Sequence, residues 1–404
     1  MIQGDVRPAG AAILFRERPV ADVHWSDRAG GWLVTRHADV IAGLREARLR
    51  PDDPLARLRR IASGGGPSLE HLRRVVSAIS FFMLPPRHDA VRRLLAGVLH
   101  NPALAGLREE LENLAQALID AGRAAAALDL VAGYGKRLAL FTMHRLLGVP
   151  LADCPELAAK AREVAFLFDR VPRPLRRLLA LDHRLRELLD FFAQLIRERR
   201  GAPRDDGLSA MIAAADQLGG VSDDELAGFC TFFFVAGEET TGNGITAAAV
   251  MLAERPDLCA RLAADAGRVA DAARELLRLA SPVSYITRQA TEDFEFAGTP
   301  IRRGQELRFD LAAANRDPAV FANPNAIDID RDAARAIPFG YGVYRCLGAG
   351  LATLEVEAAI AALVRCADLR LAPAAVTWEN RAMLSAMASA IAVFVPSAVG
   401  ARIG

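Results

Sequence analysis

A chain of 404 residues is long enough for one large domain or two to three ordinary ones, with a substantial buried core. Its 52% hydrophobic and 25% charged residues are those of a globular protein. With 50 Lys and Arg against 49 Asp and Glu, the formal charge is +1, so neither nucleic acid nor an anionic membrane is expected as the main partner.

The N-terminal stretch from Met1 to Arg18 is broken by Pro8, Arg16 and Arg18 and lacks the apolar centre of a signal peptide. No uninterrupted run of about 20 apolar residues follows, so a cytoplasmic location without a membrane span is expected. Gly31 to Arg36 reads as a strand after a turn, followed by a helix from Ala38 to Glu46. Ser63 to Pro67 is a flexible break. Amphipathic helical patterns fill Arg87 to Arg200, with turns at Gly148–Pro150 and Pro172–Pro174, and Gly201 to Gly207 is a polar loop. Ser222 and Glu225 form a capping box for a helix from about Asp223 to Glu254, apolar nearly all round and therefore internal. A spanning helix is the rival reading, opposed by Gly237, Glu238, Glu239, Thr240, Thr241 and Asn243 at its centre. A shorter helix covers Asp271 to Leu279 and stops at Ser281–Pro282. Strand-like pieces follow, with a hairpin around Gly298 and Gly304. A glycine-rich loop then precedes a helix from about Leu347 to Ala367. Ala- and Leu-rich composition and these patterns predict a mainly helical protein with small sheets.

Five cysteines at wide spacings, with no CxxC pair, support neither a zinc ribbon nor a disulfide scaffold. Four lie in helical stretches, where a buried thiol is ordinary. Cys346 instead lies in the loop from Phe339 to Gly348, where Gly340, Gly342 and Gly348 let the backbone turn tightly and a flat ligand approach. At the start of a helix, N–H groups favour its thiolate, which suits haem iron or a nucleophile; a nucleophile needs a base, and every histidine lies at or before His183.

Within the buried helix, Ala236 to Thr241 places two carboxylates and two hydroxyls at a cost of several kcal/mol unless they are paired or solvated. Thr240 shares a face with Ala236, so its hydroxyl is expected on the Ala236 carbonyl, loosening the helix and opening a groove. An acid beside an alcohol there forms a proton relay, or else a polar patch where the helix surfaces. Glu275 and Arg278 share a helical face, as do His88 and Arg92; each pair alone would be an ordinary surface feature.

In this order the pieces resemble the cytochrome P450 family over nearly the whole chain. The resemblance implies the P450 fold, a single domain over 1–404 with a β-rich part from about 1–60 and 280–310, and a haem b (iron protoporphyrin IX) cofactor. By analogy Cys346 is the iron ligand, with Phe339, Gly348 and Ala236 against the haem, and Glu239 and Thr240 fill the acid and alcohol positions. His88, Arg92 and Arg288 match propionate-binding positions. Glu275-Leu276-Leu277-Arg278 matches the ExxR helix, for which Arg331 is the expected partner. Two positions depart from the pattern. Tyr344 stands where His or Arg usually donates to a propionate, which implies weaker anchoring, partly offset by its hydroxyl. Leu84 precedes Pro85 where Asp is common.

The implied activity is haem-dependent insertion of one oxygen atom from O₂ into a small to medium, mostly hydrophobic molecule. The expected outcome is hydroxylation, with a place in secondary metabolism. No Rossmann fingerprint or four-cysteine cluster is present, so electrons are expected from a separate ferredoxin and its reductase. Expected pocket walls are Phe82, Met83, Phe232, Val235, Val283, Tyr285 and Met387, with Glu238 as a polar contact for a basic or hydroxylated group. A peroxide-driven peroxygenase, a non-catalytic haem-binding module and a thiol-dependent hydrolase are the alternatives.

Overall fold

The computed structural model describes residues 19–395 apart from 64, 100–103, 163, 165–173 and 367. The N-terminal stretch to Arg18 and the predicted turn at Pro172 lie outside the described residues. Among the described residues ten strands occur in chain order: β1 His24–Ser26, β2 Gly31–Val34, β3 Leu49–Arg50, β4 Ala127–Asp129 and β5 Tyr285–Ala290. The rest are β6 Phe294–Phe296, β7 Thr299–Ile301, β8 Glu306–Asp310, β9 Leu369–Trp378 and β10 Met387–Phe394. A five-stranded sheet has the order β1-β2-β8-β5-β3, with β2 and β8 parallel and the other pairs antiparallel. The β6–β7 hairpin turns through Ala297 and Gly298, both at positive φ, a backbone that matches the twist of paired strands.

The three-stranded sheet β4-β10-β9 adds to the β-rich part expected at about 1–60 and 280–310. Its long strands are rich in alanine, and β9 contains Pro373, so local propensity is weak. Cross-strand pairing with β10 at the centre supplies what propensity does not.

The rest is helical. The central helix, Asp223–Ala253, starts at the predicted capping box: Ser222 Oγ accepts the Glu225 N–H and Glu225 Oε2 accepts the Ser222 N–H, both at 3.2 Å. Its two ends belong to different apolar cores. Leu226 to Val235 pack in a cluster with the helix Leu175–Gly201, whereas Ile245 to Leu252 pack with the C-terminal helix Ala349–Leu363. The polar stretch from Ala236 to Gly244 therefore lies at the seam between two cores. No described helix is long and apolar enough to cross a membrane.

Candidate active site

The cysteine loop is held by its own backbone. Gly340 and Gly342 take φ of +71° and +74°, where side chains are strained, and the Cys346 N–H closes the loop onto the Phe339 carbonyl at 2.9 Å. A Cβ on Gly342 would stand 3.1 Å from the Leu44 carbonyl oxygen, so glycine also permits close approach to the helix His37–Arg45. The C-terminal helix begins at Ala349, two residues later than expected, because Gly348 is its cap. Cys346 thus precedes the helix. Among the five cysteines it alone is exposed; the other four are buried. Its thiol is nonetheless largely surrounded by protein. Burial raises the thiol's proton affinity, against the opposing Gly348 N–H, Arg345 and Arg92.

Residues far apart in the chain meet beside this loop. His88 lies on the helix Arg87–Leu99, its ring 4.4 Å from that of Tyr344. Its Nδ1 faces Asp89 Oδ1 at 2.8 Å, while its buried Nε2 has no hydrogen-bond partner among the described residues. Arg288 on β5 sits 4.9 Å from the Tyr344 ring, and burial pushes its pKa down to about 10. Arg92 donates to the Arg345 carbonyl at 2.9 Å, strapping its helix to the loop. The Tyr344 hydroxyl donates to the Met83 carbonyl at 3.0 Å. This bears on the expected offset for the missing His or Arg: the hydroxyl ties the loop to the segment before Pro85, and the ring spaces His88 and Arg288.

Midway along the central helix, Thr240 Oγ1 donates to the Ala236 carbonyl at 2.7 Å, and the helix continues through this point. Glu239 faces another way. Its Oε1 lies 3.1 Å from Arg381 Nη2, in the turn between β9 and β10. Burial raises the Glu239 pKa to about 7, although Arg381 opposes the shift. Burial likewise raises Glu238, whose charged surroundings are Lys136, Arg162 and Glu379. Sequence reading missed Arg381 and Glu379; the polar run Glu379-Asn380-Arg381 between apolar stretches was the available signal.

The helix Val269–Ala280 carries a fully buried, two-pronged pair: Arg278 Nε to Glu275 Oε2 at 2.7 Å and Nη2 to Oε1 at 2.8 Å. Arg331 Nε reaches Glu275 Oε1 at 3.3 Å, and Arg278 Nη1 also caps the carbonyls of Asn315 and Pro324 at 2.6 and 2.8 Å. This lattice ties the helix to the segment that leads into the cysteine loop.

The aromatic residues before Pro85 reach the central helix, with the Phe81 ring 4.4 Å from Phe82 and 5.9 Å from Phe232. Val283 bridges to Leu384. Val235 and Met387 are buried in the two separate cores, and Tyr285 lies under the Arg308 guanidinium at 3.4 Å.

A mainly helical fold with a glycine-framed cysteine loop and a polar stretch in a buried central helix defines a haem-thiolate class of protein. The Cytochrome P450 family model matches residues 158–380. The chain is 34% identical over 364 residues to Cytochrome P450-SU2 of Streptomyces griseolus, covering 88% of this chain and 85% of that one. It is 29% identical to the Polyketide biosynthesis cytochrome P450 PksS of Bacillus subtilis (strain 168), covering 89% and 87%. The crystal structure of P450BioI in complex with hexadec-9Z-enoic acid ligated Acyl Carrier Protein superposes with a TM-score of 0.81, at 27% identity, covering 90% and 92%. The chain belongs to the cytochrome P450 family and is a monooxygenase with a haem cofactor. The residues fit that group: the buried, unpartnered His88 Nε2 and the buried Arg288 are donors suited to carboxylates, and both lie against Tyr344 of the cysteine loop.

Proposed function

We propose that this monooxygenase uses Cys346 as its iron ligand and Glu239 with Thr240 as its proton relay, acting on a small to medium, mostly apolar molecule of secondary metabolism. The observation that carries the reading is the convergence of His88 Nε2, Arg288 and the Cys346 loop, drawn from three distant parts of the chain. In this arrangement His88, Arg92 and Arg288 would hold the haem propionates, and Phe339, Gly348 and Ala236 would pack against the haem. Haem held there supplies O₂ binding and, through its thiolate, an electron-rich iron that favours O–O cleavage. Thr240 then presents a hydroxyl anchored on the Ala236 carbonyl, and Glu239 exchanges protons near neutrality. Phe82, Met83, Phe232, Val235, Val283, Tyr285 and Met387 shape the substrate's surroundings. Exposed Val343 and Arg345 lie on the cysteine loop, and exposed Arg93 follows Arg92 on the helix strapped to it, a surface that suits an acidic ferredoxin supplied by its reductase.

The test is the spectrum of the reduced holoenzyme under carbon monoxide. The wild type gives the thiolate band that names the family, and Cys346→Ser loses that band while retaining its fold by circular dichroism. A variant that keeps the band would exclude Cys346 as the ligand.

A further inference from the structure

Arg381 belongs to no motif, yet it is among the largest fully buried side chains described. The turn that carries it is fixed by backbone bonds rather than loosely placed. The Ser284 N–H donates to the Met383 carbonyl and the Ser385 N–H to the Pro282 carbonyl, both at 2.8 Å. From this fixed position the guanidinium meets two carboxylates, Glu239 at 3.1 Å and Glu379 at 3.5 Å. Glu379 in turn meets Arg162 at 3.2 Å, and about half of the Arg162 side chain is exposed. The charges alternate from surface to helix: Arg162, Glu379, Arg381, Glu239.

A relay acid needs both its forms within reach near neutral pH. Burial alone would keep a carboxyl at this depth neutral, and a full ion pair alone would keep it ionised. Here the two oppose each other. Arg381 and Arg162 favour the charged form of Glu239, while Glu238 and Glu379 disfavour it, with Lys136 acting on Glu238. Because Arg381 is shared, any closer approach to Glu379 weakens its hold on Glu239.

We propose that Arg381, shared between Glu239 and Glu379, is a positioning residue that sets the orientation and the proton occupancy of Glu239, so that the β9–β10 turn tunes proton delivery on the central helix. This rests on the reading of Glu239 as the relay acid. The resulting pKa of about 7 for Glu239 accords with such a balance.

The experiment is an infrared titration of the ferric holoenzyme, with the Glu239 carboxyl band assigned by its loss in Glu239→Gln. Alongside it, the fraction of consumed O₂ that appears as product is measured across pH. Arg381→Gln should move the titration midpoint up by about one to three pH units, Glu379→Gln should move it down, and Arg381→Lys should hold it near the wild type. Product coupling should shift along the pH axis in the same directions. A merely structural role would weaken all variants without opposite displacements. Midpoints that stay put, or that move together in Arg381→Gln and Glu379→Gln, overturn the proposal. Should Arg381→Gln fail to fold, Glu379→Gln decides alone: downward movement supports the proposal and no movement overturns it. Unchanged coupling in Glu239→Gln would sink the relay reading separately, while opposite midpoint displacements would still uphold the control by Arg381.

Discussion

Glu239 and Thr240 are neighbours in sequence but turn to different partners, about 100° apart around the helix. Thr240 is tied back to its own helix and Glu239 to the β9–β10 turn. Thr240→Ala removes the anchored hydroxyl, so peroxide released per electron pair should rise several-fold at the expense of product; peroxide and product assays under matched turnover check this. Tyr344 yields a second test. Its hydroxyl is engaged with Met83, so Tyr344→His should add a donor beside His88 and slow haem transfer to a scavenging apoprotein, whereas Tyr344→Phe should leave that rate within about twofold. Residues like Cys346, Thr240 and His88 were legible because their signal is local: glycines around a thiol, or a helical spacing. Arg381 was not, since only tertiary pairing brings it to Glu239.

Elements show the same division. The central helix announces itself by its capping box and apolar length, and the ion-pair helix by Glu275 and Arg278 one turn apart. Strands β9 and β10 carry no comparable pattern, because alanine is a weak strand former and their order comes from pairing. The Glu275 lattice is structural, and cutting one buried partner leaves the other charge uncompensated. Glu275→Ala should lose about 3–5 kcal/mol, enough to abolish soluble holoenzyme in expression trials. The C-terminal helix offers a pH test. Glu355 is fully buried, accepts the Thr142 hydroxyl at 2.7 Å, and has its pKa raised by burial to about 8. A carboxyl whose folded pKa lies above its unfolded one holds its proton longer when folded, so stability falls as pH rises from about 4.5 towards 8. Glu355→Gln should flatten that decline, as urea melts across this range would reveal.

For the molecule as a whole, the chemistry lies at the seam between two cores. Polar residues there interrupt neither packing cluster, which explains how a helix with paired glutamates at its centre stays buried. The seam was only half visible in sequence: the polar island was plain, but the division of apolar residues into two clusters depends on which helices pack on each end. The straps that surround the thiol also carry a consequence for biosynthesis. Arg92 reaches the Arg345 carbonyl and Tyr344 the Met83 carbonyl, so the first quarter of the chain completes its contacts only with residues near its end. On the ribosome, no emerging fragment that stops short of the cysteine loop holds a finished cradle. The cradle is therefore finished only once the cysteine loop has been made, and cells short of haem should accumulate the full-length chain without its pigment.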